Sequence, residues 1–118
     1  EPITVFGDGT QTRTLTYVKD VVASLIKLME SDQAIGEVIN VGGLEEISML
    51  DLAKKIIDMT GSTSTIQLIP YAEAFGKDFE DMQRRVPSTQ KLAQVTGFAP
   101  DKSLDFILSK VIRYIKSR

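Results

Sequence analysis

With 118 residues, 42% of them apolar and 25% charged, the chain has the size and composition of one soluble globular domain with a modest core. A net charge of −2 creates no basic field, which argues against nucleic acid as a partner. Cysteine and histidine are both absent, which removes disulfides, thiol nucleophiles, the commonest general base and most zinc sites.

The chain opens at Glu1-Pro2-Ile3-Thr4-Val5, without an initiator methionine and directly in an apolar run, as if cut from something longer. Thr4–Phe6 is the first strand candidate and Thr14–Val18 the second, each rich in β-branched and aromatic residues. Helical spacing of Val21, Val22, Leu25, Leu28 and Met29 predicts a helix over Lys19–Glu30 with those residues on its core face. Glu37–Val41 reads as a third strand, with Gly36 before it and Gly42-Gly43 after it for tight turns. A second helix is announced by Ser48 with Asp51 three residues on. It buries Met49, Leu52, Ala53, Ile56 and Ile57, and Gly61 stops it.

Thr65–Ile69 is the last strand candidate, and Tyr71–Arg85 lacks any period and reads as a long loop. A short third helix follows Pro87-Ser88 and ends at Gly97. The fourth starts at Ser103, carries Leu104, Ile107, Leu108, Val111, Ile112 and Ile115 on one stripe, and closes on basic residues, which makes a credible natural terminus. Four helices with short strands give an α+β domain or the tail of an α/β fold. No apolar run is long enough to span a membrane and no signal peptide is visible, so the expectation is a cytoplasmic protein.

The sequence excludes most active-site chemistries. Gly7-Asp8-Gly9 lacks the third glycine of a dinucleotide fingerprint, and no helix follows it. None of Tyr17, Tyr71 and Tyr114 is followed four residues later by lysine. Glu73, Asp78, Glu80 and Asp81 read as a solvated acidic loop rather than a metal or glycosidase site. No catalytic constellation, cofactor loop or metal site can be assembled, and anion recognition remains. Arg13 follows the glycine turn, Arg84-Arg85 precede Pro87, and guanidinium groups suit phosphate through paired, charge-assisted hydrogen bonds. Arg84 reads as a surface partner for the acidic loop, Tyr17 as core, Asn40 as a turn residue, and Met29, Met49, Met59 and Met82 as packing.

The run PITVFGDGTQTRTLTYVKDVV, then GEVINVGG, then RRVPSTQKLAQVTGFAP resembles the C-terminal half of the extended short-chain dehydrogenase/reductases that act on nucleotide-sugars. That group includes UDP-glucose 4-epimerases, UDP-glucuronate decarboxylases and dTDP-glucose 4,6-dehydratases. The likeness runs from Pro2 to about Arg113, with the three segments in the family's order and separation. It implies that residues 1–118 form the substrate-binding portion of a Rossmann-type enzyme, gripping a UDP- or dTDP-sugar.

By position within the resembled motifs, Phe6 would pack on the nucleobase, Gln11 would lie near ribose and diphosphate, and Arg13 and Arg85 would bind the diphosphate. Ser88 stands where the family usually has an acidic residue that meets ribose hydroxyls. A serine can accept one such bond, and its main role is expected to be the N-cap of the third helix. Asp20, kept from the family pattern, is read as structural at a helix N-terminus. NAD or NADP and the Tyr-x-x-x-Lys pair would belong to an N-terminal Rossmann portion, so this chain binds no cofactor itself and is expected to show no turnover alone. Glu37–Val41 and Thr65–Ile69 would complete the larger sheet, and with their edges free they could pair two copies into a homodimer. The alternative is a non-enzymatic module that binds a nucleotide or a protein through the same loop.

Overall fold

A computed structural model describes all 118 residues, and the chain alternates between two structural units along its length. The first unit comprises residues 1–13 and 47–85, and the second residues 14–46 and 86–118.

In the first unit, β1 (Ile3–Phe6) and β4 (Ile66–Ile69) form a parallel pair in register from Ile3 opposite Ile66 to Phe6 opposite Ile69. A parallel pair cannot be closed by a tight turn. The helix before β4, α2 (Met49–Thr60), packs on β1. Its termini follow the sequence: the Ser48 hydroxyl accepts from the Asp51 amide at 3.1 Å, and Gly61 closes it at φ 63°. The first two amides of the helix are also satisfied, Met49 donating to the Gln11 carbonyl and Leu50 to that of Gly9, both at 3.0 Å. A second small sheet orders β3 (Glu46–Ser48), β2 (Thr12–Thr14) and β5 (Arg84–Arg85), with β2 and β5 parallel. Between β4 and β5 lies a short helix, α3 (Tyr71–Phe75).

The second unit is helical. It contains α1 (Val18–Met29), a 3₁₀ turn at Asp32–Ala34, α4 (Gln90–Thr96) and α5 (Leu104–Lys116), with α1 packed on α4. Leu92 of α4 is fully buried, and Leu104, Ile107 and Leu108 are buried on the first turns of α5, where the Ser103 hydroxyl accepts from the Phe106 amide. The Tyr17 ring meets Phe106 edge-on at 5.2 Å. No helix is long and apolar enough to cross a membrane.

Several expectations are corrected. The strand expected at Thr14–Val18 is displaced to Thr12–Thr14, and Val18 already begins α1. Glu37–Val41 is in no strand; it has no ladder partner, and Val38 is 86% exposed. Gly42 and Gly43 do not serve a left-handed turn. They are buried where a Cβ on Gly42 would fall 2.2 Å from Pro87 Cγ and one on Gly43 2.2 Å from the Leu15 carbonyl oxygen. The long loop at Tyr71–Arg85 contains α3 and β5, and β3 was not expected at all. Thr89, not Ser88, is the N-cap residue of α4, without a side-chain cap bond.

The face of α1 is the largest correction. The residues it buries are Asp20 and Ser24, whose hydroxyl donates to the Asp20 carbonyl at 2.8 Å. Val18, Val22, Leu25, Ile26 and Met29 are all exposed, from about half upward to Met29 at 87%. At about 100° per residue they fall opposite the Asp20–Ser24 side, so α1 is apolar on the face its own unit leaves uncovered. Val111, Tyr114 and Ile115 are likewise exposed on the last turns of α5, and Met82 is exposed in the loop before β5.

Candidate functional site: an aromatic cleft with an arginine at its end

The turn between β1 and β2 is fixed by local chemistry. Gly7 and Gly9 hold φ of 74° and 78°, where a side chain is strained. The Asp8 carboxylate accepts from the Thr10 hydroxyl at 2.7 Å and the Thr10 amide at 2.9 Å, and these bonds hold its pKa below the usual carboxylate value. The chain then turns Gln11 inward. It is buried, and its side-chain amide donates to the Phe6 carbonyl at 2.8 Å, tying the end of β1 to the start of β2.

The cleft beside this turn has a volume of about 390 Å³. Val5 of β1 with Met49, Leu52, Ala53 and Ile56 of α2 make its apolar floor. Phe6, Tyr71, Phe75 and Phe79 make an aromatic wall: Phe6 meets Phe75 edge-on at 4.9 Å, and Phe79 lies 4.5 Å from Phe75 and 5.5 Å from Tyr71. Gln11, Arg13 and Asp81 supply the polar end.

Arg13 is held firmly. Nη1 donates to its neighbour Thr12's carbonyl at 2.7 Å, and Nη2 contacts both oxygens of Asp81 at 2.8 Å. The two side chains are 17% and 26% exposed. Asp81 also accepts from the Tyr71 hydroxyl at 3.2 Å and from the Met82 amide at 2.8 Å. Burial, and next the bond to Asp81, push the Tyr71 phenol above its ordinary pKa, so it remains a donor at neutral pH.

Of the residues singled out in the sequence, Phe6, Gln11 and Arg13 line the cleft together. Arg85 stands next to Arg13 in register on β5, exposed and outside the cleft lining. Ser88 is exposed and belongs to the other unit. The acidic loop was misjudged at one position: Asp81 is the partner of Arg13, not a solvated charge. Tyr71, Phe75 and Phe79 were missed as well. Their one signal in the sequence is an aromatic every fourth residue, within a segment that otherwise has no period.

An apolar slot walled by rings suits a planar group, and its polar end holds a guanidinium already paired with the Asp81 carboxylate. The same turn does not suit a dinucleotide. The first amides of α2 are already taken by Ser48, Gln11 and Gly9, and the space a Cβ would fill at Gly7 and Gly9 is occupied by Tyr71 and Leu50. Gly7→Ala should expose this dependence. Its Cβ would lie 2.6 Å from Tyr71 Cε2, and a left-handed alanine costs about 1–2 kcal/mol by itself. Urea unfolding should show at least that loss, accompanied by a change in tyrosine fluorescence as the Tyr71 ring is pushed aside.

Comparison with known proteins agrees with this architecture. Residues 1–111 match the family described as GDP-mannose 4,6 dehydratase. The chain is 34% identical over 116 residues to UDP-N-acetyl-alpha-D-glucosaminuronate decarboxylase of Bacillus cytotoxicus, covering 98% of this chain and 36% of that protein. It is 38% identical over 114 residues to UDP-glucuronic acid decarboxylase 1 of Danio rerio, covering 97% and 25%. Among solved structures, UDP-glucuronic acid 4-epimerase from Bacillus cereus, in complex with UDP-glucuronic acid and NAD, superposes with a TM-score of 0.85 at 30% identity, over 99% of this chain and 36% of that one. The chain therefore belongs to the GDP-mannose 4,6 dehydratase family of extended short-chain dehydrogenase/reductases, whose members are nucleotide-sugar epimerases, dehydratases and decarboxylases. It is an α+β portion of that fold and spans between a quarter and just over a third of the length of the relatives it matches.

Proposed function

We propose that this chain is the lobe that grips the nucleotide of a UDP- or dTDP-sugar in an NAD(P)-dependent enzyme, with 4-epimerisation as the reaction. The observation that carries the reading is the placement of Arg13 at the polar end of an aromatic-walled cleft. In this reading Phe6 and the rings beside it receive the base, Arg13 holds the diphosphate, Gln11 braces the turn between them, and Arg85 adds a second cation alongside Arg13. Ser88, on the other unit, is assigned a ribose hydroxyl on the strength of its sequence position alone.

An N-terminal Rossmann portion would supply the cofactor loop and the Tyr-x-x-x-Lys pair, and NAD would take the hydride there. The outward apolar face of α1 supports a larger body, since a helix apolar beyond its own packing face is one that a larger core covers. Likeness to the Bacillus cereus 4-epimerase supports the choice of reaction. What the present residues contribute is orientation. Fixing the nucleotide fixes where the sugar ring lies, and such positioning can account for much of a rate once the reacting groups are present.

Titrating the 118-residue chain with UDP, dTDP and inorganic phosphate, read by amide chemical shifts, tests the reading. Saturable shifts centred on Phe6, Gln11, Arg13 and Arg85, stronger with a nucleotide than with phosphate, are expected. A UDP-sugar mixed with NAD should show no turnover. A folded sample whose shifts do not move with any nucleotide favours the alternative, an interaction module without a nucleotide.

A further inference from the structure

Asp81 gathers donors as a bound anion would. Both of its oxygens lie 2.8 Å from Arg13 Nη2, the Tyr71 hydroxyl donates to Oδ2, and the Met82 amide donates to Oδ1. A phosphate oxygen asks for the same set of a guanidinium and a protonated hydroxyl. We propose that Asp81 is an internal stand-in for the ligand's phosphate: it occupies Arg13 and Tyr71 in the free chain, and an incoming diphosphate displaces it and takes over both donors. The inference rests on the nucleotide-binding reading above and adds Tyr71 as a phosphate ligand and Asp81 as its competitor.

The arrangement answers a physical need on each side of binding. Without a ligand, a guanidinium only 17% exposed would lose hydration with no counter-charge, and Asp81 supplies one. With a ligand, a fixed carboxylate beside a diphosphate would repel it, so Asp81 has to leave. The chain allows this. Asp81 follows Gly76–Glu80, in which no residue is buried, and Gly76 turns at φ 97° with nothing near its Cβ position. The phosphate must compete with an intramolecular partner, so the apparent affinity falls by the fraction of molecules in which Arg13 is free.

The test uses the 118-residue chain with UDP and with inorganic pyrophosphate, titrated by calorimetry. Asp81→Asn should bind pyrophosphate about tenfold tighter than wild type, since the competitor's charge is gone. Glu80→Gln makes the same change of net charge on an exposed neighbour and should change affinity less than twofold. Tyr71→Phe should weaken both ligands at least about tenfold, the lower end of what one hydrogen bond to a charged group contributes. In the wild type the Asp81 carboxyl carbon resonance should move on saturation with UDP, a readout that needs no variant to fold.

If Arg13→Ala abolishes binding while Asp81→Asn binds no tighter and the Asp81 resonance stays fixed, Asp81 only positions Arg13. The stand-in is then overturned while the nucleotide reading survives. If neither wild type nor Asp81→Asn binds either ligand, both are overturned. Binding by Asp81→Asn where wild type shows none would support the proposal most directly.

Discussion

Arg13→Ala should raise the dissociation constant for UDP about 100-fold. Hydrogen bonds to a charged group contribute about 1.5–3 kcal/mol each, and a diphosphate offers a guanidinium at least two. Part of that gain is offset because the free chain already satisfies Arg13 through Asp81, so the lower end of the sum, near 3 kcal/mol, is the appropriate figure. Arg13→Lys keeps the charge but loses the planar fork, and should fall between, about tenfold weaker than wild type. Arg85→Ala, which removes an exposed side chain outside the cleft, should cost about threefold.

The same substitution has a cost to folding. Removing Arg13 leaves Asp81 about three-quarters buried with only Tyr71 and Met82 as donors, a loss of about 1–2 kcal/mol once residual solvent screening is allowed for. Calorimetric titration of variants whose unfolding is followed in parallel separates the two effects. An Arg13→Ala protein that is folded and binds UDP within threefold of wild type would remove the central residue of the proposed site.

What the sequence made legible follows from how local each signal is. Ser48 and Gly61 mark α2 because a cap and a left-handed stop depend only on a few neighbouring atoms, and both occur as read. Gly97 closes α4 for the same reason. The core face of α1 is not legible in the same way, because helical spacing shows that a face is apolar, not which face has a partner. α4 packs on the helix, while Val22 and Leu25 stay about half exposed and Met29 is 87% exposed. Glu37–Val41 has strand composition, but a strand needs a neighbour, and in this chain none pairs with it.

The site divides in the same way. Arg13 and Phe6, singled out through the resemblance, lie close in sequence and line the same cleft. Asp81 lies 68 residues from Arg13, and only the parallel pairing of β2 with β5 brings that stretch of chain alongside. No local pattern distinguishes it from Asp78 or Glu80, which remain exposed.

Leu92→Ala should be the most destabilising single truncation, by about 3 kcal/mol within the usual 2–5 for a buried leucine. Leu92 is the one large side chain with no exposure at all, and it sits in the middle of α4. That helix has seven residues, far below the length at which a helix holds in water on its own. Its backbone order therefore depends on the packing that Leu92 provides, and a cavity there removes the reason for the helix as well as its contacts. Urea unfolding followed by circular dichroism should show a lower midpoint.

Met29→Ala is the informative contrast. Met29 is 87% exposed, so truncation to the better helix former should leave stability within about 0.5 kcal/mol of wild type. A loss comparable to that of Leu92→Ala would mean that the outer face of α1 is covered in solution. Dependence of the midpoint on protein concentration would then identify the cover as a second copy of the chain.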